Sequence, residues 1–244
     1  MTQASYNKLW RSVWGDIQSV GPVHRHMRIH LLRTVSSLRV TQVLDVGCGS
    51  GESLAALADT GGYELTGVDI SQEALCLTRR RVPNARLDRL DIEREALPDQ
   101  YDLVMSLQVL EHILDDMSAL RNIAGMARSY VLISTVQGRM RSSEIAIGHV
   151  RNYSPIELRR KLEIIGLEVL KIWGWGFPFY SPLYRTLTEW VPGGPPSGPI
   201  GRFGLLGAWL LYHIYRLNWP GRGDILFALA KKRRQGNWGH DPEE

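Results

Sequence analysis

Val43-Leu44-Asp45-Val46-Gly47-Cys48-Gly49-Ser50-Gly51 is the stretch on which the reading of this chain turns. A short apolar run runs into three glycines at alternate positions, and a helical stretch over about 52–59 follows at once. Glycine lets the backbone bend sharply and approach a ligand with no Cβ in between. The order strand, glycine turn, helix is that of the first unit of a doubly wound sheet, whose ligands sit beyond the carboxyl ends of the strands.

Outward from that turn, β-rich and helical segments alternate. Strands are expected at 41–46, 63–69, 85–91, 101–109, 130–136, 167–173 and 224–230. Ser71 caps a helix that runs to about 82 and is broken by Pro83-Asn84. A further helix spans about 117–127, and Ser154-Pro155 opens another through 164. The pattern predicts an α/β, Rossmann-like doubly wound sheet of seven strands, with N-terminal helices and a helical insertion between the last two strands. The expected division is an N-terminal helical lid at 1–39, a core at 40–177 and 223–233, an aromatic and helical insertion at 178–222, and a tail at 234–244. Within the insertion, 191–204 carries nine Gly or Pro in fourteen positions, which suits a loop, and an apolar helix over 203–217 follows.

A chain of 244 residues with 44% apolar and 22% charged residues can bury a sizeable core and is not a disordered chain. Two cysteines, Cys48 and Cys76, exclude a disulfide framework and a four-thiolate zinc site. With no apolar signal core at the N-terminus and no apolar run of membrane-spanning length, the expectation is a cytoplasmic protein. The net charge of +4 lies wholly after position 170, where 9 Lys/Arg face 5 Asp/Glu, and 14 of the 21 aromatics lie there too. The stretch after position 170 therefore meets a different environment from the body, and the insertion within it is expected to act as a substrate cap or to make peripheral membrane contact at 203–217. A neutral body and a short basic cluster argue against nucleic acid.

The strand ends define the ligand. A dinucleotide turn needs a third glycine where Glu52 stands, and Asp45 at the strand end opposes a pyrophosphate and favours a cation. S-adenosylmethionine, with its ammonium and sulfonium groups and no phosphate, fits better. Asp45 with Gly47, Cys48, Gly49, Ser50 and Gly51 would hold its amino-acid end. Asp69, followed by Ile70, can accept hydrogen bonds from both ribose hydroxyls. Asp91 with Ile92 would face the adenine, and Ser106, Leu107 and Gln108 the methionine end. Cys48 reads as a small packing residue.

The ordered set VLDVGCGSG, GVDIS, LDI and YDLVMSLQVLEHI resembles the class I S-adenosylmethionine-dependent methyltransferases. It is most similar to the small-molecule branch with a Leu-Glu-His motif, which includes ubiquinone-biosynthesis enzymes. The likeness covers roughly 40–174 and extends to the segment 149–155. It implies transfer of a methyl group to a small or lipid-like acceptor, with S-adenosylhomocysteine as product, and a sheet that ends in an antiparallel hairpin. It also implies that N-terminal helices close over the cofactor, so Tyr6, Trp10 and Trp14 are candidate substrate contacts, beside a plain packing stripe. His149, in the loop after the fifth strand, is the candidate base, with His112 the runner-up and also a cofactor contact. Arg151 and Tyr153 either order that loop or contact substrate, and Trp175 and Tyr180 are further candidates for substrate contact. Glu111 and His112 lack a clear third ligand in the sequence, so no metal is expected. A non-catalytic cofactor-binding or membrane-associated module, and a nicotinamide enzyme, remain as alternatives.

Overall fold

In the computed structural model, residues 15–190 and 201–233 are described. Two helices, α1 (Gly15–Val20) and α2 (Pro22–Val35), precede β1 (Gln42–Val46). Then follow α3 (Glu52–Thr60), β2 (Glu64–Asp69), α4 (Gln72–Arg81), β3 (Arg86–Arg89) and β4 (Tyr101–Leu107). A single turn at Leu110–His112 leads to α5 (Asp116–Met126), β5 (Ala127–Val136), α6 (Ser142–Ala146), α7 (Pro155–Ile164) and β6 (Leu167–Trp175). The insertion holds an irregular turn at Phe179–Tyr184, then α8 (Arg185–Glu189) and α9 (Arg202–Tyr215), before β7 (Ile225–Lys232).

The seven strands lie in the order β3-β2-β1-β4-β5-β7-β6. The first five pair in parallel, and β7 enters antiparallel between β5 and β6. The expected seven-stranded sheet with an interrupted terminal hairpin is therefore present. β1 lies centrally, and its neighbours Val43 and Leu44 are both buried but belong to different apolar clusters. Successive side chains point to opposite faces of a strand, so a run of Val and Leu fills both layers at once. One layer packs α5 and α7 through Leu120, Ile123, Leu158 and Leu162; the other packs α2, α3 and α4 through Leu31, Leu54, Leu57 and Leu75. A third cluster of Met27, Trp175, Tyr215, Ile225 and Phe227 ties α2 to α9 and the ends of β6 and β7.

Local chemistry sets the element ends. Ser71 caps α4 by accepting the Ala74 N–H, and Ser154 caps α7 by accepting the Glu157 N–H. The third strand is shorter than the expected 85–91. It stops at Arg89 because Asp91 begins a turn, its carbonyl accepting the Arg94 and Glu95 N–H groups and its carboxylate the Glu93 N–H. Asp91 thus stands two residues beyond the strand rather than at its end. The fourth strand stops at Leu107 rather than 109 because Gln108 turns into the left-handed region at φ 59°. The expected loop at 191–204 lies mostly outside the described residues, as do Tyr6, Trp10 and Trp14. α8 has no counterpart in the sequence-based expectation.

Candidate active site

The carboxyl ends of β1, β2 and β4 open onto a cavity of about 850 Å³. Its floor is the turn after β1. There the Gly47 and Cys48 N–H groups donate to the Val68 carbonyl at 2.8 and 3.0 Å, and the Gly49 N–H donates to Asp69 Oδ2 at 2.9 Å. The Thr78 hydroxyl donates to the Gly49 carbonyl at 2.7 Å. Gly47 has φ +76°, and a Cβ there would stand 2.4 Å from Val109 Cγ2; at Gly51, with φ +78°, it would stand 2.7 Å from Thr78 Cγ2. Only glycine meets both the dihedral and the space requirement.

Two acids end their strands beside this turn. Asp45 is buried, and burial, then the neighbouring Asp69, pushes its carboxyl up to about 8. Burial also pushes Asp69 up to about 6, against the pull of the Ser71, Gly49 and Ile70 N–H groups. The Ser71 N–H meets Asp69 Oδ1 at 2.8 Å, so each oxygen holds one backbone donor and keeps capacity for another. Burial disfavours the charged form of both acids, so a ligand that brings donors and positive charge is favoured here over a pyrophosphate. The residues present thus fit the amino-acid and ribose portions of S-adenosylmethionine. Burial also pushes the Cys48 thiol up, which makes it a packing group rather than a nucleophile.

The cavity is lined by Asp45, Gly47, Cys48, Gly49, Asp69 and Ile70, and further on by Asp91, Ile92, Leu107, Gln108, His112 and His149. Of the expected cofactor residues, three are placed elsewhere. Ser50 gives its carbonyl to Arg81 and Gly51 packs against Thr78, so both shape the turn from behind. Ser106 is fully buried within the sheet, on the face opposite its cavity-lining neighbour Leu107. The expected substrate contacts divide as well. Tyr180 lines the cavity. Trp175 instead stacks on His26 at 4.9 Å in the third apolar cluster. Arg151 and Tyr153 are drawn away by Asp116, at 2.9 and 2.7 Å, where Lys161 also binds, so they order the loop before α7. Of the two readings for this pair, loop ordering is the one these contacts support: a carboxylate at the start of α5 collects the available donors.

His112 and His149 meet edge to face, with ring centroids 4.6 Å apart. Burial, then His149, holds His112 down at about 3; burial, then Arg185, holds His149 down at about 4. Both imidazoles are therefore neutral near pH 7, and the same depression makes each a weaker base than an ordinary histidine. Glu111 is buried and its carboxyl is pushed up to about 7 by burial, while its Oε2 accepts the Thr135 hydroxyl at 2.9 Å. The donor atoms of Glu111, His112 and His149 lie within 4.8 Å of one another, so the fold brings to Glu111 and His112 the third group that their place in the sequence does not show.

Several lining residues are not legible in the sequence. Gln18, His24 and Arg28 come from the N-terminal helices, and Arg141, Glu144, Tyr184, Arg185 and Thr188 from α6 and the insertion. No motif marks them; tertiary folding alone carries them to the cavity. Arg28 donates to the Gln18 and Ser19 carbonyls at 2.7 Å, which fixes α1 against α2 at the rim.

A family model described as a methyltransferase domain matches residues 43–129. A ubiquinone biosynthesis O-methyltransferase of Hydrogenovibrio crunogenus is 27% identical over 153 residues, which span 59% of this chain and 63% of that protein. One from Nitrosospira multiformis is 25% identical over 206 residues, 74% of this chain and 84% of the relative. Among solved structures, the N-methyltransferase NodS of Bradyrhizobium japonicum, in complex with S-adenosylhomocysteine, shares the fold with a TM-score of 0.64 at 18% identity; the match covers 94% of this chain and 99% of that one. The glycine turn held between Asp45 and Asp69 at the head of a seven-stranded sheet agrees with these likenesses: residues 43–129 match a methyltransferase domain, and the chain is similar to ubiquinone-biosynthesis O-methyltransferases.

Proposed function

We propose that this protein methylates an oxygen nucleophile on a small molecule with a substantial apolar portion. The observation that carries the proposal is a single cavity whose lining includes Asp45 and Asp69, Tyr180 and Tyr184, and two neutral histidines, His112 and His149. S-adenosylmethionine supplies an electrophilic methyl group on its sulfonium. The chain's own residues bind, orient and exclude water. Asp45 and the glycine turn hold the amino-acid end, Asp69 the ribose, and Asp91 with Ile92 the adenine. His149 takes the proton from the acceptor hydroxyl, and His112 packs edge-on against it. An amine acceptor needs no base, so the histidine pair favours oxygen, as do the names of the curated relatives. The Tyr180 and Tyr184 rings supply an apolar wall for the acceptor.

The outer face of α9 supports a second element of the proposal, peripheral contact with a lipid surface. Phe203, Leu206, Trp209 and Leu210 are exposed there, and Arg202, Arg216 and Arg222 lie nearby. No helix among the described residues is long and apolar enough to cross a membrane. Flotation with anionic vesicles tests it: the chain should float, and a variant with Phe203, Leu206 and Trp209 changed to Ser should stay below. Equal flotation of both rejects the contact.

The decisive experiment incubates the protein with methyl-labelled S-adenosylmethionine and a lipid extract, and identifies the labelled product. A methyl ether supports the proposal. A methylamine or C-methyl product overturns the choice of oxygen, and binding without transfer to any component points to a non-catalytic module.

A further inference from the structure

Four arginines line the cavity: Arg28, Arg94, Arg141 and Arg185. Three are engaged. Arg28 donates to backbone carbonyls, Arg94 pairs with Asp91 at 3.3 Å, and Arg185 is clasped between Glu144 and Asp224. Arg141 is different. Its side chain is only 10% exposed, yet among the described residues its Nε and Nη1 meet no hydrogen-bond acceptor. The nearest carboxylate, that of Glu189, stands 3.6 Å from Nη1, and it already accepts a hydrogen bond from Arg139 at 3.3 Å. Glu144 is no substitute, because its Oε1 serves Arg185 and its Oε2 the Arg141 backbone N–H and Asn152.

A guanidinium withdrawn from water with donors unmet is costly, and folded proteins rarely tolerate it without a ligand or counter-ion to meet them. Arg141 opens α6, and Ser143, Ala146 and Ile147 of that segment also line the cavity beside His149. In the function proposed above, His149 is the residue that meets the acceptor.

We propose that Arg141 is a specificity-determining residue that binds an anionic oxygen group, a carboxylate or a phosphate, carried by the methyl acceptor. This deepens the methyltransferase reading and rests on it. The anion is anchored at Arg141, and the nucleophilic hydroxyl then projects toward His149. Glu189 remains with Arg139 and acts as the competing counter-ion that an acceptor must displace. A neutral acceptor leaves Arg141 with no more than the 3.6 Å contact to Glu189 and binds more weakly, because a planar guanidinium fork recognises carboxylate and phosphate through charge and paired donors.

The test uses the full chain saturated with S-adenosylhomocysteine and titrated with 3,4-dihydroxybenzoate, its methyl ester, and the catechol carrying a phosphate in place of the carboxylate. At least one of the two anions should bind tenfold or more tighter than the ester, and the stronger of the two identifies the group. Arg141→Gln should abolish that preference while its affinity for S-adenosylhomocysteine stays within twofold of the parent, which also shows that the variant folds. Glu189→Gln should strengthen anion binding several-fold by removing the competitor, an effect that a purely structural Arg141 would not produce. Preference for the ester, no anion-dependent binding by the parent chain, or an unchanged preference in Arg141→Gln overturns the inference. Failure of the parent to bind S-adenosylhomocysteine instead overturns the methyltransferase reading beneath it.

Discussion

Asp69 Oδ2 accepts the Gly49 N–H at 2.9 Å, so the tip of the turn after β1 hangs on the acid that ends β2. The two parallel strands place these groups together: Asp45 pairs in register with Gly67, and Asp69 follows two residues later. One carboxylate therefore shapes the cofactor turn and keeps lone pairs for the ligand.

Loss of that acid should remove cofactor binding. Asp69→Ala deletes the acceptor for Gly49 and Ser71 and the group that would meet the ribose. Charge-assisted hydrogen bonds contribute about 1.5–3 kcal/mol each, so affinity for S-adenosylhomocysteine should fall about a hundredfold or more. Calorimetry checks this, and a loss of threefold or less would show that the ligand sits elsewhere.

Asp45 makes binding release a proton. Its carboxyl is held up to about 8 by burial and by Asp69, so the free protein keeps the proton at pH 7. A bound ammonium group favours the ionised form, the proton leaves, and affinity should rise with pH until about 8. Binding heats at pH 7 should differ between phosphate and Tris by an amount that tracks the buffers' ionisation enthalpies. Asp45→Asn should erase the difference; identical heats for the parent chain would contradict the assignment.

Kinetics should separate His149 from its neighbour. If His149 accepts the acceptor proton, His149→Gln should lower kcat about 10²–10⁴-fold with little change in cofactor affinity. Because burial and Arg185 hold its pKa near 4, His149 is neutral from about pH 5 upward, so it should impose no loss of rate between pH 6 and 8. A rate that falls with a midpoint near the ordinary histidine value would place the proton on another group.

Far from the cavity, Asp102 joins the starts of β1 and β4. It accepts the Thr41 N–H at 3.0 Å, the Gln42 N–H at 3.1 Å and Arg128 at 2.8 Å. The Thr41 N–H first, with the Gln42 N–H, the Thr41 hydroxyl and Arg128, holds its carboxyl down at about 2. A depressed acid stabilises the fold above its unfolded pKa, and that contribution is lost as pH falls toward 2. Asp102→Asn should cost about 1–3 kcal/mol in urea unfolding at pH 7, and the difference from the parent should shrink at pH 3. A variant as stable as the parent at pH 7 would show that the contact contributes nothing.

How much of this was readable in advance depended on range. Val43 to Gly51 could be read directly, because burial on both strand faces demands an apolar run and the turn demands residues with no Cβ. Asp69 was legible for the same reason: it lies at a strand end, fixed by the period of the sheet. Asp91 was misplaced by two residues because a carboxylate that accepts neighbouring N–H groups ends a strand early, and β propensity does not register that. For Arg151 and Tyr153 the sequence leaves loop ordering and substrate contact both open, and Asp116, more than thirty positions away, decides for the loop.

The sequence by itself determined the order of strands and helices, the seven-stranded sheet and the acid-flanked turn after β1, since all of these follow from local dihedral preference and apolar period. Tertiary structure alone decided which distant side chains share the cavity with that turn. His112, Arg141, His149 and Tyr184 share no periodicity or spacing, and they meet because β4, β5 and the insertion before β7 converge at one end of the sheet, where chain topology rather than local preference sets the neighbours.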